Sequence, residues 1–440
     1  MSGLWKDAEQ KFKNHRARVG VLGLGYAGLP LTCCFAEAGF ETIGFDVDQF
    51  KIQKLAAGQS YIGHIPSERI ARLVQAGGLR PSSDFSLLRD CDAAIICVPT
   101  PLGEGRTPDL SYVVKTAETV AEFLHPGQLV VLESTTYPGT TDEVLLPLFE
   151  RSGLKVGEDY FLAFSPERED PANANYSTQT IPKMVGGITA HCGAIAVAAY
   201  GELVERVVPV SSARVAEAAK LLENIYRCVN IAMINELKLL FERMDIDVWE
   251  VIQASATKPF GFTPFYPGPG LGGHCIPVDP FYLTWKARQY DFSTRFIELA
   301  GEINSSMPQH VVERLTQGLN LLGKALNGAR ILLIGAAYKR NVEDVRESPA
   351  IRIIQLLEQR LAQVSYHDPH VPRLETRHLE RALLSEPLSR EVIESCDAVV
   401  IVTDHTNIDY EMILRHSKLV VDTRNATAPY RKPSHSVVMA

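Results

Sequence analysis

The hydrophobic positions of this chain fall into short unbroken runs separated by mixed polar stretches. The first run, 19–22, has the length and continuity of a strand buried on both faces. It leads into Gly23, Gly25 and Gly28, then a helical stretch to Ala38, then a second apolar run, 41–45, that stops at Asp46. A further run in 91–100 ends in a Pro/Thr loop, and one at 128–133 ends in Ser-Thr-Thr-Tyr-Pro-Gly-Thr-Thr (134–141). Short apolar strands alternating with helical segments predict a mostly parallel sheet covered by helices on both faces.

From 212 to about 256 the period changes. Val215, Ala219, Leu222, Tyr226, Val229, Met233 and Leu237 recur at steps of three and four, which predicts a long amphipathic helix. A second helical element is expected at 247–255, and the Pro/Gly-dense stretch 259–280 reads as a structured loop. At 329 the first pattern returns: 329–335 is again a strand running into glycine, 396–405 echoes 91–100, and 418–422 echoes 128–132. The expected fold class is α/β, two Rossmann-like doubly wound parallel-sheet domains joined by a central long-helix domain. The expected boundaries are 1–205, 206–312 and 313–440. The second sheet lacks the full GxGxxG pattern and is not expected to bind a dinucleotide as the first does. Leu237, Leu239, Leu240 and Phe241 suit a contact with a second copy of the chain, or packing within it.

Length agrees with this division, since 440 residues at about 100–200 per domain make two to four domains. The chain is 46% hydrophobic and 22% charged, with a net charge of −8. That balance argues against gripping nucleic acid or anionic lipid by bulk charge. It leaves room for a phosphate-bearing small molecule held by a helix N-terminus and a few lysines. No apolar run approaches the ~18 residues of a membrane helix, and 1–18 is polar without an h-region, so neither a membrane span nor a signal peptide is expected and the cytoplasm is the expected location. The eight cysteines include no CxxC pair, so neither a disulfide framework nor a metal site is expected, and seven of them read as buried small hydrophobes.

Strand, glycine turn, helix, strand and terminal acid together form the dinucleotide-binding βαβ unit. The glycines permit a tight turn and close approach of a pyrophosphate. Asp46 is placed to accept the adenosine ribose hydroxyls, which favours NAD over NADP. A second candidate is Cys275, inside Pro-Gly-Pro-Gly-Leu-Gly-Gly-His-Cys-Ile-Pro-Val-Asp-Pro (267–280). A thiol in a glycine-rich loop has close access to ligands, and local N–H groups favour its thiolate. His274 is its neighbour, but adjacent side chains commonly diverge. Lys220 and Asn224 lie four apart on one helix face among Leu221, Leu222 and Ile225, where they suit an oxyanion or a phosphate, although a solvated lysine satisfies the same spacing. Glu167, Glu169 and Asp170 in Phe-Ser-Pro-Glu-Arg-Glu-Asp-Pro (164–171) are candidate acids among which the residues themselves do not choose.

Gly-Leu-Gly-Tyr-Ala-Gly-Leu-Pro (23–30), Val-Pro-Thr-Pro (98–101), 134–141, Ser-Pro-Glu-Arg (165–168), Gly-Gly-His-Cys-Ile-Pro-Val-Asp-Pro (272–280) and Ala-Tyr-Lys-Arg-Asn-Val-Glu-Asp-Val-Arg-Glu-Ser-Pro (337–349) occur in order. Together they resemble the UDP-glucose/GDP-mannose dehydrogenase family over nearly the whole chain, most closely the branch acting on UDP-N-acetylhexosamines, N-acetylglucosamine foremost. The resemblance implies a four-electron oxidation of the sugar C6 alcohol to a carboxylate with two NAD, through a thiohemiacetal and a thioester on Cys275. It implies that Thr135 positions water, that Glu167 is the general base, that Lys220 and Asn224 stabilise the oxyanion, and that Asp279 supports water and lysine. NAD is expected on Gly23, Gly25, Tyr26, Ala27, Gly28, Asp46, Pro99, Thr100 and Thr135. The UDP-sugar is expected on Glu167, Arg168, Lys220, Asn224, Lys258, Gly272, Lys339 and Arg424. A homodimer or larger homo-oligomer, and a product destined for a surface polysaccharide or O-antigen, are also implied. The chain departs from the glucose-type pattern in the loop beginning at Lys258, where those enzymes carry an arginine, and within the acetylhexosamine pattern at Ala172, where glycine is common. UDP-N-acetylmannosamine and UDP-glucose remain alternative substrates. An NAD-dependent epimerase or reductase, and a non-catalytic nucleotide-sugar binding protein, are alternatives of other classes.

Overall fold

The apolar runs pair into two sheets, each in its own compact unit, in the computed structural model, which describes residues 3–63, 65–168, 177–273 and 276–440, with Glu104 described in its backbone only. One unit comprises Met1–Glu223 and Phe281–Phe292, the other Asn224–Pro280 and Ser293–Ala440.

The first unit holds eight strands, β1 (Arg18–Leu22), β2 (Glu41–Phe45), β3 (Leu79–Ser82), β4 (Ala93–Ile96), β5 (Leu129–Leu132), β6 (Phe161–Phe164), β7 (Lys183–Gly187) and β8 (Val207–Val210). Their order is β3-β2-β1-β4-β5-β6-β7-β8. All neighbours run parallel except β6 and β7. The order reverses at β1, between β2 and β4, so the crevice for a ligand opens at the carboxyl end of β1. Inner strands carry no polar alternation because both faces are covered. Val19, Val21, Ile95 and Val131 join one apolar layer with Phe35 and Ile195 of the helices Gly28–Glu37 and Ala190–Gly201. Leu22, Ile43, Ile96 and Leu132 join the other with Val113 and Ala117 of the helix Ser111–Phe123. Strands β3, β7 and β8 were not legible as apolar runs. β8 lies at the sheet edge, is half exposed and contains Pro209, as edge strands do.

The helix Ala213–Arg243 begins in the first unit and continues into the second. Its buried and exposed faces correct the sequence reading. Val215, Leu222, Tyr226 and Met233 of the apolar stripe are exposed, Leu222 by 66%. Glu217, Lys220, Asn224, Asn235 and Lys238 are buried. The period was right, but the face turned inward mixes these polar residues with Ala216, Leu221, Cys228, Ala232 and Ile234, and of the stripe Val229 and Leu237 pack within the chain.

The second unit contains β9 (Arg330–Ile334), β10 (Gln363–His367), β11 (Arg373–Leu374), β12 (Leu383–Leu384), β13 (Ala398–Ile401), β14 (Val420–Asp422) and β15 (Val437–Met439). Five make a parallel sheet in the order β10-β9-β13-β14-β15, and β11 pairs β12 antiparallel. Helices Pro349–Glu358 and Arg295–Leu321 pack through Ile353, Ile354, Leu315 and Leu319 on one face, and Tyr410–His416 packs through Ile413 and Leu414 on the other. β9 ends in Gly335 with φ +90°. A Cβ there would lie 2.5 Å from Thr403 Cβ and 2.7 Å from Thr403 N. Gly335→Ala is therefore expected to destabilise this unit by about 2–4 kcal/mol. An unchanged urea midpoint would contradict that close approach.

Candidate functional site

The glycine turn after β1 has the geometry of a pyrophosphate cradle. Gly23 has φ +96°, and a Cβ on it would come within 2.6 Å of Cys97 O. A Cβ on Gly28 would come within 1.8 Å of Gly23 O, so a larger residue would open the turn. At Gly25 a Cβ would meet nothing within 4 Å, which leaves the front of the helix N-terminus open to an anion. Tyr26 and Ala27 line that turn half buried. Asp46 is buried at the end of β2. Its Oδ2 accepts from Leu24 N–H and from Lys51 Nζ, each at 2.9 Å, and its Oδ1 accepts from Asp48 N–H at 2.9 Å. Lys51 escaped the sequence reading, although it lies on the first helix after the acid. Past β4, Pro99 is exposed and Thr100 buried, and Tyr282 donates its hydroxyl to Thr100 O at 2.7 Å. An open cradle, a buried acid at the end of β2 and a parallel-sheet switch point fit NAD.

The segment after β5 is held from both ends by buried charge that the sequence reading missed. Glu133 accepts from Lys183 Nζ at 2.7 Å and from Tyr200 OH at 2.5 Å, all three buried. Burial pushes Glu133 up, while the Lys183 ammonium favours its charged form. Thr135 follows, half buried, and Ser134 donates to Val98 O at 2.7 Å. At the far end Glu217 accepts from Gly139 N–H at 2.6 Å, Thr141 N–H at 2.9 Å and Thr141 Oγ1 at 2.6 Å. Burial raises Glu217 to about 7 against those three bonds. Its position three residues before Lys220, on the same helix face, was the available signal. After β6, Glu167 Oε1 accepts from Arg168 N–H at 2.6 Å, and the Arg168 side chain pairs with Glu223 at 2.6 Å. Lys220 is buried on the long helix in this unit.

In the second unit the structure joins residues that the sequence keeps far apart. Asn224 Nδ2 donates to Asp279 Oδ2 at 2.6 Å, with both side chains buried. Asn235 accepts from Gly268 N–H at 3.0 Å and donates to Asn304 Oδ1 at 2.9 Å, which anchors the glycine loop. Gly268 and Gly272 each face a close neighbour. A Cβ on Gly268 would lie 2.6 Å from the Arg424 guanidinium, and one on Gly272 2.6 Å from Tyr338 Cβ. Gly273 N–H donates to Arg346 O at 2.9 Å. The loop leading to Cys275 thus rests on the segment that carries Lys339 and beside Arg424. Arg424 also donates to Val402 O at 3.1 Å. Lys258 is exposed, its ammonium 5.0 Å from the Phe260 ring centroid. His274, Cys275, Glu169, Asp170 and Ala172 lie outside the described residues. The other seven cysteines are buried free thiols.

A glycine cradle and terminal acid at the switch point of one parallel sheet, with a second parallel sheet lacking that cradle, define a nicotinamide-dependent oxidoreductase built from two nucleotide-binding-type folds. The comparisons agree. The NAD binding domain of the UDP-glucose/GDP-mannose dehydrogenase family matches residues 17–204, its central domain 214–306 and its UDP binding domain 332–429. The chain belongs to that family and is an NAD-dependent nucleotide-sugar dehydrogenase. It is 37% identical over 363 residues to the UDP-N-acetyl-D-glucosamine 6-dehydrogenase of Pseudomonas aeruginosa, covering 82% of this chain and 85% of that one. It is 34% identical over 415 residues to the UDP-N-acetyl-D-mannosamine dehydrogenase of Pyrococcus horikoshii, covering 93% and 95%. The solved structure of the UDP-D-ManNAc dehydrogenase from Pyrococcus horikoshii superposes with a TM-score of 0.86 at 32% identity, covering 96% of this chain and 98% of that one. Among the described residues no helix is long and apolar enough to cross a membrane.

Glu217 supplies a test of the buried frame. Its folded-state value of about 7 lies above the ordinary ~4.3 of glutamate. Its contribution to stability is therefore fully present below pH ~4.3 and is lost as the pH rises through about 7. Glu217→Gln removes that dependence. The difference in melting temperature between wild type and variant should shrink from pH 5 to pH 8, and a constant difference would contradict the assignment.

Proposed function

We propose that this enzyme oxidises the C6 alcohol of a UDP-N-acetylhexosamine to the carboxylate, with UDP-N-acetylglucosamine as the preferred substrate and two NAD consumed per sugar. In this reading residues 1–205 bind NAD, 206–312 carry the cysteine loop and the surface for a second copy, and 313–440 hold the UDP moiety. The observation that carries it is the buried Asn224–Asp279 hydrogen bond of 2.6 Å at the helix that opens after the cysteine loop. A buried amide fixed by a carboxylate cannot swing away, so it is preorganised for an oxygen that gains charge. Similarity to an acetylglucosamine 6-dehydrogenase at 37% identity supports the sugar. The superposition on an acetylmannosamine dehydrogenase, TM-score 0.86, favours that epimer as the second reading.

The glycine cradle and Asp46 would hold NAD, which would supply the acceptor for the hydride that leaves C6 in each of the two oxidations. Lys220 and Asn224 hold the C6 oxygen as it loses its proton. The Cys275 thiolate then adds to the aldehyde carbon; the C–S bond forms and the carbonyl π pair moves to oxygen, giving a thiohemiacetal. A second two-electron oxidation at the same carbon gives a thioester. Water positioned by Thr135 and Asp279 adds to it, Glu167 takes the water's proton, and the C–S bond breaks to release the carboxylic acid and the thiolate. Retention of the aldehyde on sulfur lets both oxidations occur at one site. Arg168, Gly272, Lys258, Lys339 and Arg424 are assigned to substrate, and Tyr26, Ala27, Pro99, Thr100 and Thr135 to NAD. The exposed stripe Val215, Leu222, Tyr226 and Met233 is assigned to a homodimer, whose mass light scattering reads directly. The cytoplasm, where NAD and nucleotide sugars occur together, is the assigned location, and surface-polysaccharide synthesis the assigned use.

A panel of UDP-sugars with NADH counting tests the reading. Two NADH per UDP-N-acetylglucosamine are expected; one would indicate an alcohol-to-aldehyde enzyme, and none an epimerase that returns its hydride. A faster rate with UDP-N-acetylmannosamine would transfer the assignment to that epimer. Cys275→Ser should lower kcat by at least about a hundredfold with NAD binding retained. Full turnover in that variant would overturn the covalent route. Asp46→Ala should raise the KM for NAD about tenfold, the loss of roughly 1.4 kcal/mol, with the KM for sugar unchanged.

A further inference from the structure

The two sheets are built alike where their first strands end. Gly23 N–H donates to Phe45 O at 2.8 Å, and Gly335 N–H donates to His367 O at 2.9 Å. Leu24 N–H then donates to Asp46 Oδ2 at 2.9 Å, and Ala336 N–H donates to Asp368 Oδ2 at 2.7 Å. Asp368 therefore stands in the second sheet where the ribose-reading acid stands in the first. Both acids are buried and hydrogen-bonded, but Asp368 holds more donors. Oδ2 also accepts from Ala337 N–H at 2.9 Å, and Oδ1 accepts from His370 N–H at 2.8 Å and Val371 N–H at 3.1 Å. His405, fully buried, brings its Nε2 to 3.0 Å from Asp368 Oδ2, and its Nδ1 accepts from Asn341 N–H at 3.0 Å. A backbone N–H can only donate, so Nδ1 is the acceptor and Nε2 carries the proton to the carboxylate. Burial opposes the charge on Asp368, yet His405 and the main-chain donors bring its pKa down to about 2.

The segment that replaces the phosphate-binding turn is fastened to the same place. In the first sheet the helix begins at Gly28, but in the second it begins only at Pro349. The intervening loop carries Lys339. Thr403 Oγ1 donates to Ala337 O at 2.6 Å, Arg340 pairs with Asp404, and Asn341 Oδ1 accepts from Thr406 N–H at 3.0 Å and Thr406 Oγ1 at 3.1 Å. Asn341 adopts φ +59°, a left-handed conformation that its neighbours must hold in place.

We propose that Asp368 and His405 are positioning residues: the acid position that reads a ribose in the first sheet serves in the second as a clamp that fixes the 337–341 turn, and through it Lys339, for the nucleotide-sugar diphosphate. The proposal rests on the assignment of Lys339 to substrate. It also separates the two acids: Asp46 accepts from two main-chain donors and Lys51, whereas Asp368 accepts from four main-chain donors and an imidazole.

The test uses the full-length enzyme with His405→Leu, which removes both imidazole bonds, and His405→Asn, whose Oδ1 replaces Nδ1 as acceptor for Asn341 N–H. His405→Leu should raise the KM for UDP-sugar by about tenfold, the scale of one or two buried hydrogen bonds, with the KM for NAD unchanged. His405→Asn should recover much of that loss. Combined with Lys339→Ala, His405→Leu should add little, because the two act through one contact. Additive losses, or an equal rise in the KM for NAD, overturn the proposal. If Lys339→Ala alone leaves the sugar KM unchanged, the substrate assignment fails separately. Hydrogen exchange then judges the clamp: His405→Leu should expose the amides of 337–341 while β9 stays protected, and wild-type protection there overturns it.

Discussion

A parallel strand that ends inside a protein leaves the turn after it with main-chain N–H groups that need acceptors, and this chain meets the need with buried carboxylates. Asp46 takes Leu24 and Asp48 N–H, Asp368 takes Ala336, Ala337, His370 and Val371 N–H, and Asp422 takes Arg424, Ala426 and Thr427 N–H. Glu217 does the same from a helix for the 139–141 turn. An unsatisfied buried amide costs about 1–3 kcal/mol, so each carboxylate determines the path of several residues at once. Those turns carry the residues assigned to NAD and to nucleotide sugar. The rigidity of the site is thus a consequence of satisfying its backbone.

The same requirement explains the polar residues on the buried face of the long helix. A helix normally buries its apolar stripe. Here Glu217, Lys220, Asn224, Asn235 and Lys238 are buried, and Glu217, Asn224 and Asn235 each hold another segment by hydrogen bonds. Burying Lys238 has a visible cost, since desolvation pulls its ammonium down to about 8. Val215, Leu222, Tyr226 and Met233 of the stripe stay exposed.

The two sheets show how one framework serves two ligands. Both begin with a strand, a left-handed glycine and an acid on the neighbouring strand. In the first the helix starts at once, so its N-terminus faces the ligand. In the second a longer segment intervenes and is hydrogen-bonded to 403–406.

The sequence by itself determined the strands with unbroken apolar runs, the glycine turn, the bounds of β2, the long helix and the echo between the two halves. Each of these rests on local spacing or on steric demands within a few residues. Residue type and spacing marked Asn224 and Asp279, and the family resemblance marked Gly272, Lys339 and Arg424, as functional candidates. Only the tertiary structure decided which face of the long helix turns inward, because period reports the angle between residues and not what they pack against. Only it joined Asn224 to Asp279, Gly268 to Arg424 and Gly272 to Tyr338, contacts across stretches of chain that no spacing encodes. The buried charges Glu133, Lys183, Glu217, Asp368 and His405 were invisible for the same reason. A charged side chain reads as surface until the fold supplies the partner that makes its burial affordable.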